Sequence, residues 1–70
     1  MTVEFFLDVF VKESDFVVIY GYSHERMTKS EFLNSLHYTE YNALSIDFVE
    51  SFKKRGSTWY CYPQSFDKGN

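Results

Sequence analysis

Cysteine, proline, glycine and tryptophan are scarce in this 70-residue chain: one cysteine, one proline, three glycines and one tryptophan. Cys61 alone cannot close an internal disulfide, which excludes the stapled architecture of small secreted domains and points to a reducing compartment. Metal chemistry is equally poorly supplied, because Cys61, His24 and His37 lack the paired spacing that holds a tetrahedral ion. Gly21, Gly56 and Gly69 are too few and too far apart for a phosphate-cradling loop, and no cofactor is expected.

Long apolar runs are also missing. Each apolar stretch is broken by a charge or a glycine well before the roughly 18 residues a membrane-spanning helix needs, and the Met1-Thr2-Val3-Glu4 start has no basic leader. The expectation is a cytoplasmic protein with no membrane partner. For catalysis, His24 beside Glu25 in a polar loop has no accompanying nucleophile, and nothing near Cys61 in sequence would activate its thiol. A non-enzyme is expected.

What is abundant is aromatic. Eight phenylalanines, six tyrosines and Trp59 occupy 21% of the chain, which carries a net charge of −3. Residues 2–12 place Val3, Phe5, Leu7, Val9 and Val11 at alternate positions, which predicts a strand whose opposite face reads Glu4, Phe6, Asp8, Phe10 and Lys12. After the polar break at 13–15, residues 16–22 form a second β-branched and aromatic run, and the pair reads as a β-hairpin. Its loop lacks a tight-turn signature, so either Phe16, Val18, Tyr20 and Tyr22 or Val17 and Ile19 join the core.

Thr28 and Glu31 form a capping-box pattern, with Met27 and Phe32 as its hydrophobic staple, and a helix is expected to start there. His37–Tyr41 reads either as a break or as a continuation, with His37 near a helix C-terminus. A second helix is expected from the Ser45 N-cap, facing inward through Ile46, Val49 and Phe52, and ending at Lys53-Lys54-Arg55 and Gly56. Residues 57–62 return to strand composition, closed by Pro63. The expected fold is therefore α+β: a three-stranded, mainly antiparallel sheet with two helices on one face, in the order β-β-α-α-β. Residues 1–63 would form one compact domain, with 64–70 a loose tail.

In that fold the second sheet face would carry too many rings. Phe6 and Phe10, together with Phe16, Tyr20 and Tyr22 or with Val17 and Ile19, would meet water unless Phe66 of the tail or a helix covered them, and exposed apolar patches mark interaction surfaces. Glu4 and Asp8 among those rings favour a protein partner with a basic surface over a phosphate backbone. Charge is unevenly distributed along the chain: residues 1–50 hold nine acids against three bases, and residues 51–70 hold four bases against one acid. Lys53-Lys54-Arg55 is thus a candidate docking site for phosphate or an acidic partner, if it is more than a solvated helix end.

The expected function is a small protein-binding module, acting as an inhibitor or adaptor of a larger cytoplasmic protein through Glu4, Phe6, Asp8, Phe10, Phe16, Tyr20 and Tyr22. In general character such a compact, disulfide-free acidic domain resembles phage-encoded proteins that block host factors, which would place it in the host cytoplasm. The alternatives are a homodimeric regulatory domain and a nucleic-acid-binding domain that uses an aromatic sheet face.

Overall fold

A computed structural model describes residues 1–64. The fold is α+β with a single sheet, as the sequence pattern implies, but among the described residues it has four strands and three helices. The elements run α1 (Val3–Val9), β1 (Phe16–Ile19), β2 (Met27–Thr28), α2 (Lys29–Ser35), α3 (Tyr38–Ala43), β3 (Val49–Arg55) and β4 (Thr58–Pro63). The strand order is β2-β1-β4-β3, with β1 parallel to β4 and the other two pairings antiparallel.

The expected first strand is a helix. Thr2 caps α1, its hydroxyl accepting the Phe5 N–H at 3.1 Å, and Glu4 lies in the first turn where a carboxylate meets the positive helix end. Val3, Phe6 and Leu7 point into the core, which is the helical spacing of an inward stripe. Nearly every position between the charges at 4, 8 and 12 is apolar, so the segment satisfies alternation and helical periodicity together. The spacing of four between those charges puts them on one face in either conformation, and the local helical signal is Thr2 as N-cap with Glu4 in the first turn.

The second correction falls on residues 45–56. In place of a helix ending at Gly56, Val49–Arg55 forms β3, and Gly56-Ser57 is the two-residue turn of a hairpin with β4, Arg55 facing Thr58. Gly56 has φ +63° and none of the described non-glycine residues, Ser57 included, has positive φ, the pattern of a turn with glycine first, as in type II′. The sequence signal was Gly-Ser between two runs able to form strands. The expected hairpin of 2–12 with 16–22 is replaced by pairing of β1 with β2 and β4.

The predicted helix start at residue 28 is present. The Thr28 N–H donates to Glu31 Oε1 at 2.9 Å and the Glu31 N–H to Thr28 Oγ1 at 3.2 Å, a closed capping box. Leu36 leaves the helix in an extended conformation, so 37–41 is a break followed by a new helix, with His37 at the N-cap of α3 rather than at a C-terminus.

One face of the sheet makes the core. Val17, Ile19 and Cys61 pack with Val3, Phe6, Leu7 and Val11, with Phe32 of α2 and with Leu44 at the end of α3; Met27 and Trp59 pack at its margin. Val17 and Ile19 are thus internal, as in one of the two expected arrangements, but through pairing with β2 and β4 and not through the expected hairpin. Gln64, assigned above to the tail, donates its backbone N–H to the Phe48 carbonyl at 2.8 Å, while residues 65–70, including Phe66, lie outside the described residues.

Candidate interaction surfaces

Strand alternation divides the sheet's side chains into two sets. Towards the helices lie Met27, Val17, Trp59 and Lys54 in one row, and Ile19, Cys61 and Phe52 in the next. On the opposite face Thr28, Phe16, Thr58 and Arg55 form one row and Val18, Tyr60 and Lys53 a second. Tyr62 faces Ser51 in a third row, and Tyr20 stacks on Tyr62 with centroids 4.6 Å apart and planes 11° apart. None of this second set belongs to the core cluster, although Val18 and Thr58 at its centre are buried and Phe16, Tyr20, Tyr60 and Tyr62 around them are half-buried.

This outer face is aromatic and basic. The Arg26 guanidinium carbon lies 3.8 Å from the Phe16 ring centroid, and its Nε donates to Thr58 Oγ1 at 3.0 Å. The contact with Tyr62 holds the Tyr20 hydroxyl above the usual phenol range, burial adding to it and the nearby Lys53 charge opposing. Lys53 and Arg55, expected on a helix end, instead project from β3 onto this sheet face, with Lys54 between them turned to the other side.

Lys54 reaches Asp15 at 3.9 Å and stands 5.1 Å from the Trp59 ring centroid. Asp15 is a buried carboxylate tying three segments together: it accepts the Trp59 indole N–H at 2.9 Å and the Lys12 backbone N–H at 3.2 Å. The indole hydrogen bond, then the Lys12 amide, then the nearby cations hold its carboxyl below the ordinary range against the opposing cost of burial.

A second surface lies where α1 meets the edge strand β3. Phe6, Phe10, Phe52 and Trp59 form a ring cluster: Phe6 and Phe10 each touch Phe52 at 5.1 and 5.3 Å and Trp59 at 5.6 and 6.1 Å. Phe6 is wholly buried, so its expected place on an exposed face is corrected: it is the inner member of the cluster, and Phe10 and Phe52, each 37% exposed, are the outer ones. Phe5 and Val9, four residues apart, share the flank of α1 beside Thr2, which bridges to Phe48 at the start of β3. Phe5, Val9 and Phe48 are each at least half exposed.

Glu4 and Asp8 lie on the opposite flank of α1, lining a small cleft with Leu7, Leu33, Tyr41 and Leu44. They are exposed, but they do not stand among the sheet rings as expected. Tyr22 also leaves the predicted face: after the turn at Gly21, with φ 91°, it meets Phe32 on the helix side and donates to Asp47 Oδ2 at 2.9 Å. Burial, and then the hydrogen bond to Asp47, push its hydroxyl far above the ordinary phenol range.

No family model, curated protein or solved structure matches this chain. The reading of its surfaces therefore rests on their chemistry. Three depressions have volumes of about 220, 110 and 280 Å³, at or below the lower end of the range for small-molecule pockets. Among the described residues there is no cluster of three or more His, Cys, Asp or Glu able to hold a metal ion, and no helix long and apolar enough to cross a membrane. Cys61 is buried in the core, where desolvation, with a smaller effect from the Asp47 charge, pushes its thiol up to about 12.

The sequence missed the α1/β3 shoulder because its two halves lie about forty residues apart. Phe5 and Val9 were assigned inward as alternate strand residues, and Phe52 as an inward helix residue. Reading Thr2 as an N-cap and Val3, Phe6 and Leu7 as the inward stripe of a helix would have turned Phe5 and Val9 away from the core.

Proposed function

We propose that this protein is a non-enzymatic binding module that docks on another protein through the α1/β3 shoulder, in the manner of an inhibitor or adaptor. The observation that carries this reading is the set of five large apolar side chains, Phe5, Val9, Phe10, Phe48 and Phe52, left partly or largely exposed on two adjacent elements. Concentrated exposed apolar surface of this kind marks interaction sites, and aromatic rings are the usual anchors of an interface. The strand beneath it is an edge strand of the sheet, pairing with β4 along one side, while on the other side the Met1 carbonyl accepts the Val49 N–H at 2.8 Å and leaves the stretch beyond it, towards Arg55, as the open part of the edge. An extended segment of a partner could add to that edge while its side chains pack on Phe52 and Phe10.

This differs from the acidic aromatic face expected from sequence. Phe10 is the one ring carried over, Phe6 supports from within, and Glu4 and Asp8 lie on the other flank of α1. Occupation of a host protein by a phage-type inhibitor, in the host cytoplasm, is one form this function would take.

The test uses the whole chain as bait against extract of its native cell, beside a Phe48→Ser/Phe52→Ser variant and a Glu4→Lys/Asp8→Lys variant, with folding checked by circular dichroism. The expected result is a protein retained by the wild type and by the Glu4/Asp8 variant but lost with the Phe48/Phe52 variant. A partner retained equally by all three would refute the shoulder. Sedimentation equilibrium at roughly 50 µM separates the homodimer alternative, since self-association abolished by the same two serines would make the partner a second copy.

A further inference from the structure

The sheet face away from the helices has a chemistry unlike the rest of the molecule. It carries Arg26, Lys53 and Arg55 around Phe16, Tyr60, Tyr62 and the Tyr20 ring stacked on Tyr62. The register places no acid in its rows: Thr28, Phe16, Thr58 and Arg55; Val18, Tyr60 and Lys53; Tyr62 and Ser51. The one acid of β3, Glu50, sits in the bulge at the far end from Arg55, without a register partner. Neither Lys53 nor Arg55 has a carboxylate within ion-pair distance among the described residues, whereas Lys54, on the other face, is paired with Asp15. Meanwhile Glu4, Asp8, Glu31 and Glu40 belong to the three helices. A chain of net charge −3 thus presents a cationic face opposite an acidic helical layer.

We propose that this face binds single-stranded nucleic acid, a second activity separate from the protein-docking shoulder and not dependent on it. Phosphate neutralisation supplies most of the affinity for nucleic acid, and three cations around one set of rings provide it locally whatever the net charge of the whole. The rings decide between polyanions. Aromatic side chains on a sheet stack with bases that are not sequestered in a duplex, whereas an acidic polypeptide gains nothing comparable from them. Tyr60 is the central element, with Val18 on one side in the register and Lys53 on the other. Arg26 is held in place by Phe16 and by Thr58 Oγ1, so a phosphate contact would cost it little further ordering. The objection drawn from sequence, that carboxylates stand among the rings, does not apply to this face, because Glu4 and Asp8 are on α1.

The test is fluorescence anisotropy of labelled oligothymidylate and oligouridylate of about twelve nucleotides, a length within the usual site sizes. The proteins are the whole chain and its Arg55→Glu, Tyr60→Ala and Lys12→Glu variants. Arg55→Glu and Lys12→Glu change net charge equally, but Lys12 lies beyond α1 and away from this face. With three phosphates engaged, the slope of log K against log salt should be about −2, a loss of roughly 20-fold between about 50 and 200 mM salt. Arg55→Glu and Tyr60→Ala should each weaken binding about 10-fold, the tyrosine through lost stacking, while Lys12→Glu should stay within about twofold. Circular dichroism of each variant separates lost binding from lost fold, and Tyr60→Phe, which keeps the ring, should bind like wild type. Absence of saturable binding at about 50 mM salt, equal losses for Arg55→Glu and Lys12→Glu, preference for duplex, or competition by polyglutamate as strong as by oligothymidylate would each overturn the proposal.

Discussion

Single alanine substitutions at Phe5, Phe6 and Phe10 distinguish a helical 2–12 segment from an extended one. As a strand, this segment would bury Phe5 with Leu7 and Val9 and leave Phe6 and Phe10 on a common face. As α1, it buries Phe6 completely and leaves Phe5 52% and Phe10 37% exposed. Truncating a wholly buried phenylalanine costs about 3–5 kcal/mol, through lost transfer free energy and the cavity left behind. Phe6 stands at the upper part of that range, since its ring touches Phe10, Phe52 and Trp59 and the hole would lie between α1 and the sheet. Phe5→Ala should cost no more than about 1 kcal/mol, and Phe10→Ala should fall between.

A chain of this length has a total stability of roughly 4–10 kcal/mol, so Phe6→Ala removes a large share of it. With a urea slope of about 1 kcal/mol/M, the midpoint should drop by about 3 M or more, against about 1 M or less for Phe5→Ala. Urea unfolding followed by Trp59 fluorescence reads both stability and local packing, because the indole lies 5.6 Å edge-on to the Phe6 ring. Phe5→Ala costing more than Phe6→Ala would refute the helix, the caps and the shoulder together.

Two further outcomes follow from titratable groups. Asp15 has its carboxyl lowered by the Trp59 and Lys12 hydrogen bonds, so its stabilisation is complete above the unfolded value near about 3.9 and is lost as pH falls through the lower folded one. The urea midpoint of the wild type should therefore decline more steeply with acidification below about pH 4 than that of Asp15→Asn, and identical slopes would contradict the Trp59 contact. Cys61, wholly buried with its thiol pushed up to about 12, should react with a disulfide reagent at about pH 8 only when the fold opens, so that labelling tracks unfolding and speeds up with urea; prompt labelling without denaturant would show the β4 core to be wrongly assigned.

The elements legible in the sequence are those whose determinants are local. The start of α2 was readable because Thr28 and Glu31 satisfy each other's backbone N–H groups three residues apart, a bond that needs no tertiary partner. The β1 and β4 segments were readable from β-branched and aromatic runs with clear ends, Asp15 before one and Pro63 closing the other. The aromatic excess pointed to more rings than one core hides, but the rings it singled out were others: Phe6 is buried, and exposed Phe5 and Phe52 were expected inside.

Two segments misled because local pattern and tertiary outcome diverge. Residues 2–12 fit both periodicities, and a segment apolar at most positions takes its conformation from what it packs against. Here that is a sheet whose strands already supply Val17, Ile19 and Cys61, and the Thr2 cap completes the preference for a helix. Residues 45–56 carried a plausible cap at each end, but Gly56 serves a hairpin turn as well as a helix C-terminus. Only β4, which pairs with β3 from Val49 to Arg55, determines which.

Sequence by itself thus determined the α+β class, the capped start of α2 and the presence of surplus rings. Tertiary structure decided which rings face water and which charges stand beside them. The physical reason is range: a cap joins residues three apart, whereas Val17 meets Trp59 across 42 positions, and that pairing sorts Trp59 and Cys61 to the core side and Tyr60 and Tyr62 to the opposite face. The same alternation along β3 separates Lys53 and Arg55 from Lys54, turning what reads as one basic run into two cations beside tyrosines and one paired with Asp15.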